Sequence, residues 1–142
     1  MKLIKHLLDR KGRQIISIKP DASVLDAIRL MAEKNIGAVL VMKNNRLLGI
    51  MSERDYARKV VVKGRASDTT PVSDIMTSNV VSTTSSETVD TCMTLMTDKR
   101  IRHLPVVDDN VVVGVISIGD LVHAIIADQQ EAIEQLEQYI SG

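Results

Sequence analysis

Shifted against itself by 65 residues, this sequence aligns without a gap, residues 16–58 matching residues 81–123. Identical pairs fall at Ser17/Ser82, Val24/Val89, Leu30/Leu95, Met31/Met96, Lys34/Lys99, Ile36/Ile101, Val41/Val106, Asn45/Asn110, Gly49/Gly114, Ser52/Ser117 and Asp55/Asp120. Eleven identities in 43 positions mark an internal duplication, and it bounds the fold before any local propensity is read. A unit of about 60 residues makes only a marginal core alone, so two copies are expected to share one module.

Each copy carries the same order of signals. A short strand (residues 15–18; 80–83) leads into a polar turn, Lys19-Pro20-Asp21-Ala22 or Thr84-Ser85-Ser86-Glu87. An amphipathic helix follows. Val24, Ala27, Ile28 and Met31, or Val89, Cys92, Met93 and Met96, recur at helical spacing, and Ser23-x-x-Asp26 predicts a capped start. Two strands joined by a tight Asn- or Asp-containing turn come next (residues 38–42 and 47–51; 103–107 and 111–116). A second helix opens near Ser52 or Ser117. The expected fold class is α/β (α+β): two βαββα repeats packed sheet to sheet about a pseudo-two-fold axis, with a C-terminal helix. The boundaries read as a helical lead-in over 1–14, repeat 1 over 15–63, repeat 2 with its linker over 64–127, and an extension over 128–142.

Composition removes several function classes. Net charge is zero and aromatics are limited to two Tyr, which disfavours DNA binding and a base-stacking platform for single strands. The single Cys92 excludes an internal disulfide and is too few for a cysteine-based metal site; aligned with Ala27, it reads as a small core residue. His6 and His123 have no partner at ligand spacing, so no metal is expected. No apolar run reaches the roughly 18 residues of a membrane helix, and no secretory signal opens the chain, so the expectation is a cytoplasmic protein. The enzyme motifs G-x-S-x-G, H-E-x-x-H, Walker loop and G-x-G-x-x-G do not occur, so no catalysis is expected.

The second helix of each copy opens with Gly49-Ile50-Met51-Ser52-Glu53-Arg54-Asp55 or Gly114-Val115-Ile116-Ser117-Ile118-Gly119-Asp120, both G-h-h-S-x-x-D with h apolar. With the Val72-x-Asp74-Ile75-Met76-Thr77 lead-in and the 102–107 segment Arg-His-Leu-Pro-Val-Val, this set resembles the cystathionine-β-synthase (CBS) domain family, two copies of which form a Bateman module. The resemblance covers residues ~7 to ~127. The first copy departs from it: Leu3 to Arg13, read as a helix, stands where the V-x-D-I-M-T lead-in would be.

The resemblance implies a regulatory module that binds adenosine-containing ligands (AMP, ADP, ATP, NAD or S-adenosylmethionine) in clefts between the repeats and signals to a protein partner in trans. Asp55 or Asp120 would accept hydrogen bonds from a ribose diol. Ser52 or Ser117 stands at a helix start, where free N–H groups favour phosphate. Arg102 and His103 match a position that supplies basic groups to phosphate. Arg54 offers a bidentate fork. Lys19, Gly37, Ala38, Val39 and Pro105 complete the expected site, the last three lining an adenine slot. Because Gly37-Ala38 replaces Arg102-His103 in the first copy, the two sites are expected to differ in affinity.

Other readings stand beside these. Ser-x-x-Asp is also an ordinary capping box. The run Asp98 to His103 reads as a solvated helix end rather than a nucleic-acid patch. A scaffold protein with empty clefts is the alternative function. From Asp120 to Ile140 the sequence reads as one long helix, and Val122, Ile126, Gln129, Ile133, Leu136 and Ile140 follow a 4-3-4-3-4 spacing with Glu131, Glu134 and Glu137 outside it. That stripe predicts self-association, most simply a homodimer.

Overall fold

The computed structural model describes residues 2–141. In chain order its elements are α1 (Ile4–Lys11), β1 (Ser17–Ile18), α2 (Val24–Lys34), β2 (Ala38–Lys43), β3 (Arg46–Ser52), α3 (Glu53–Tyr56), α4 (Val89–Lys99), β4 (His103–Asp108), β5 (Val111–Ser117) and α5 (Ile118–Ser141). A wider π-type turn, Ala57–Val61, continues α3, and a 3₁₀ turn spans Val72–Asp74. The chain forms two compact units: Gln14–Val81, and Met1–Arg13 together with Ser82–Gly142.

In the Gln14–Val81 unit, β1 pairs parallel to β2 and β2 pairs antiparallel to β3. The β2–β3 hairpin turns through Asn44 and Asn45, both at positive φ, a conformation Asn tolerates and a primed hairpin turn demands. The Ser23 hydroxyl accepts the Asp26 amide at the start of α2, and Asn35 closes that helix in the left-handed region. Val24, Ala27 and Met31 of α2 meet Val39, Val41 and Met51 in the core, joined by Val60, Val72 and Ile75. Residues 64–81 are bound into this unit through their backbone: Val24 donates to the Thr70 carbonyl (2.8 Å), Val72 to Ala22 (2.8 Å) and Ser73 to Pro20 (2.9 Å).

The other unit repeats the plan with one missing strand. Thr88 caps α4, Asp109 and Asn110 at positive φ turn the β4–β5 hairpin, and Val89, Cys92 and Met96 are buried. The strand expected over 80–83 reduces to a single parallel bridge between Thr83 and Val106. Pro105 explains this. In the first repeat the Leu40 amide donates to Ile16 (3.3 Å), but Pro105 stands at the matching position and has no N–H to give. Thr83 is held instead by its bonds to Pro105 and Val107 and by the Cys92 thiol, which donates to its hydroxyl (3.3 Å). Burial pushes that thiol's pKa up, against the lowering effect of the Thr83 bond, so Cys92 serves as a core residue. The end of α4 is exposed over 97–100, as the charge run predicts.

The lead-in of this unit is α1, which the sequence places ahead of the first copy; residues 64–81, read as the linker of the second copy, belong to the other unit. Ile4 donates to Glu87 (2.9 Å), Lys5 to Ser85 (2.9 Å) and Val89 to Lys2 (3.0 Å), while Ile4, Leu7 and Leu8 are buried.

Both motif glycines lie where a lead-in crosses. A Cβ on Gly114 would meet Leu8 Cδ2 at 2.6 Å; one on Gly49 would meet Met76 Sδ at 2.7 Å and the Thr77 carbonyl at 2.9 Å. Either Gly→Ala change therefore overpacks, at about 1–3 kcal/mol. Urea unfolding should show that Leu8→Ala and Gly114→Ala together cost less than their sum. Met76→Ala should relieve Gly49→Ala only in part, because the Thr77 carbonyl is backbone.

Candidate functional site

In the Gln14–Val81 unit the strand-to-helix corner is built from the motif itself. The Ser52 amide donates to Asp55 Oδ2 (2.9 Å), the Asp55 amide donates back to Ser52 Oγ (3.1 Å), and the hydroxyl also reaches Oδ2 (3.1 Å). This is a reciprocal capping box, so the structural role of Ser-x-x-Asp is real. The other oxygen is engaged as well. Lys59 Nζ lies 3.0 Å from Asp55 Oδ1 and donates to the Ile75 carbonyl (2.9 Å), and the Thr77 hydroxyl donates to Oδ1 (3.3 Å). Thr77 is placed by its two backbone bonds with Ile50 (3.0 and 2.8 Å).

The second copy repeats the corner with a different cation. The Ser117 amide donates to Asp120 Oδ2 (2.7 Å), and the Asp120 amide donates to Ser117 Oγ (3.2 Å). Lys11, at the end of α1, donates to the same Oδ2 (2.6 Å) and to the Val115 carbonyl (2.8 Å). Its ammonium thus stands on Val115, the counterpart of Ile50, where the first copy has the Thr77 backbone. Burial raises the Asp120 carboxyl. The Lys11 hydrogen bond, the Ser117 amide, the Lys11 charge and the Ser117 hydroxyl outweigh it and hold the group below its ordinary value. The 65-residue shift sets Lys59 against Ala124 and Lys11 against Met76, so each copy has an uncharged residue where the other has its lysine.

Sheet register brings further expected residues to these corners. Ala38 pairs with Ser52, and the Gly37 carbonyl accepts the Glu53 amide (3.0 Å); His103 pairs with Ser117, and the Arg102 carbonyl accepts the Ile118 amide (2.9 Å). Arg54 lies in α3 between the two members of its box. Val39 is buried in the core of its unit and Pro105 is buried on β4, whereas Ala38 is partly exposed. Lys19 is exposed in the β1–α2 turn and takes no part in the Ser52–Asp55 network. Lys11 and Lys59 were not singled out from the sequence, and Thr77 was read only as part of the lead-in motif. The i,i+4 spacing of Asp55 and Lys59 on one helix was the available signal for the second. Lys11 and Asp120 are 109 residues apart, and only the fold joins them. Among the described residues, no three His, Cys, Asp or Glu gather as a metal site, and no helix is long and apolar enough to cross a membrane.

The Lys11–Asp120 pair has a pH signature. A carboxyl whose folded pKa is lowered contributes stability that is present above its unfolded value, about 4, and is lost as pH falls through the lowered folded value. Lys11→Met should raise the Asp120 carboxyl in an NMR titration. It should also reduce the stability lost on acidification, measured by urea unfolding at neutral and acid pH.

The family model for the CBS domain matches this chain twice, over residues 8–62 and 72–127. The chain is 43% identical over 127 residues to the CBS domain-containing protein CBSX3, mitochondrial, of Arabidopsis thaliana, covering 86% of this chain but only 62% of that protein's length. A solved CBS-domain protein from Burkholderia ambifaria superposes with a TM-score of 0.87 at 48% identity, covering 90% of this chain and 96% of that one. The CBS domain pair of protein MJ0100, solved in complex with 5′-methylthioadenosine and S-adenosyl-L-methionine, superposes with a TM-score of 0.80 at 25% identity, covering 90% and 98%.

Proposed function

We propose that this chain, which belongs to the CBS-domain family and carries the domain twice in tandem, is a non-catalytic regulatory module that binds an adenosine-containing nucleotide and passes its occupancy to a protein partner in trans. The observation that carries this reading is the recurrence of one Ser–Asp corner in both copies, with the same reciprocal bonds. A cap alone explains one such corner. It does not explain why both also hold a carboxylate beside a lysine ammonium, a combination suited to ribose hydroxyls and phosphate oxygens. The adenosine compounds bound by the MJ0100 pair support the same ligand class.

The two corners are unequal. Asp55 has both oxygens engaged, by Ser52 on one side and by Lys59 and Thr77 on the other. At Asp120 the Ser117 amide and the Lys11 ammonium both bond Oδ2, and in this reading a ribose hydroxyl bonds Oδ1. Arg102 and His103 add positive or hydrogen-bonding groups beside Ser117 where the first copy has Gly37 and Ala38. The second copy is therefore the tighter site.

Thermal-shift titration with AMP, ADP, ATP, NAD and S-adenosylmethionine tests the reading, since a ligand that binds only the folded chain raises its melting temperature. Asp120→Asn should weaken the stabilising ligand by about 1–3 kcal/mol, and Asp55→Asn by less. No stabilisation by any of them at millimolar concentration would instead favour a scaffold with empty sites. The satisfaction of both carboxylates by lysines within their own units is the observation on that side.

A further inference from the structure

Both Ser–Asp corners carry the same cationic bridge, reached from positions that the duplication does not relate. Lys59 Nζ lies 3.0 Å from Asp55 Oδ1 and donates to the Ile75 carbonyl (2.9 Å). Lys11 donates to Asp120 Oδ2 (2.6 Å) and to the Val115 carbonyl (2.8 Å). One lysine follows its aspartate by four residues; the other precedes its own by 109. Duplication alone gives both corners a cation at one position. Two different positions point to a requirement for the charge itself.

Capping is not that requirement. Ser23 caps α2 and Thr88 caps α4, and among the described residues no lysine bonds to Ser23, Asp26, Thr88 or Thr91. At Asp120 the charge can also be reached from solvent: the Lys11 side chain is 39% exposed and that of Asp120 24%. An ammonium has three donors, of which Asp120 and Val115 take two.

The compounds that share adenosine differ at the 5′ carbon. AMP carries an anionic phosphate there, 5′-methylthioadenosine a neutral thioether, and S-adenosylmethionine a cationic sulfonium. A ribose bonded to Asp120 brings this 5′ group near the neighbouring ammonium, which ends a flexible four-carbon stem. A phosphate gains a charge-assisted hydrogen bond from it. A thioether gains none, and a sulfonium meets a like charge. Without Lys11 the phosphate would approach the Asp120 carboxylate with no ammonium beside it.

We propose that Lys11 makes the second copy's site selective for adenosine phosphorylated at the 5′ position, bonding the phosphate while it holds Asp120 for the ribose. The inference rests on the nucleotide reading and adds to it the ligand subclass and the residue that selects it.

Calorimetric titration of the full chain with AMP, adenosine and 5′-methylthioadenosine tests this, with Lys11→Met and Lys11→Arg beside the wild type. The wild type should bind AMP at least about tenfold more tightly than the two uncharged compounds, the scale of one hydrogen bond to a charged group. Lys11→Met should bring that ratio close to one, and Lys11→Arg should keep most of it. Adenosine shares its base and ribose with AMP, so damage to Asp120 or to the seating of α1 weakens both and leaves the ratio unchanged. Lys11→Gln, which keeps a donor without the charge, serves in the same way if Lys11→Met melts below the titration temperature. Weaker binding of both ligands at the wild-type ratio would make Lys11 a positioning residue and overturn the proposal. A wild type that binds AMP and adenosine equally would overturn it too, with the nucleotide reading intact. Binding of neither would overturn both.

Discussion

Much of this molecule depends on two places where a lead-in segment crosses a strand with no room for a methyl group. At Gly49 the segment 76–77 lies against β3, and at Gly114 the side chain of Leu8 lies against β5. These crossings fix the end of the strand that delivers Ser52 or Ser117. They also bring the residues that flank each aspartate, Thr77 in one copy and Lys11 in the other. A side chain at either glycine would lift the entry segment and loosen the corner that it braces. The glycine of the G-h-h-S-x-x-D motif is thus a packing residue that makes the two polar residues usable, since neither position needs a positive φ.

Duplication made two corners of one design, and substitution made them chemically different. Both present a capped helix start with an aspartate neutralised by lysine. In the first copy that lysine comes from the same helical stretch, one turn on; in the second it comes from α1, at the other end of the chain. Asp120 therefore has its protonation tied to α1 through Lys11, whereas Asp55 is held by its own helix and by Thr77. A module with two equivalent sites would respond to one ligand in one way. These differences are the ground on which the proposed sites are expected to bind unequally.

The sequence was most legible where the controlling contacts are local. The caps at Ser23 and Ser52, the left-handed turn residues Asn44, Asn45, Asp109 and Asn110, and the buried stripes of α2 and α4 all follow from neighbours within a few positions. The strand at 80–83 was misjudged for a nonlocal reason. Its residues suit a strand, but Pro105 on the facing strand removes the donor that would hold it. The alignment of the repeats exposed that proline without revealing its consequence, because pairing partners are set by the sheet.

By itself the sequence determined the duplication, the order of strands and helices in each copy, the Ser–Asp corners and the apolar stripe of α5. Each is a periodicity or a short-range hydrogen-bonding pattern, encoded by residues close together in the chain. Tertiary structure alone decided that α1 packs with the second copy and residues 64–81 with the first. It also decided that Lys11 reaches Asp120 and that Val39 and Pro105 are buried. Those outcomes depend on which apolar faces meet across many residues, and the ion pair at Asp120 rests on an α1 seated through Ile4, Leu7 and Leu8.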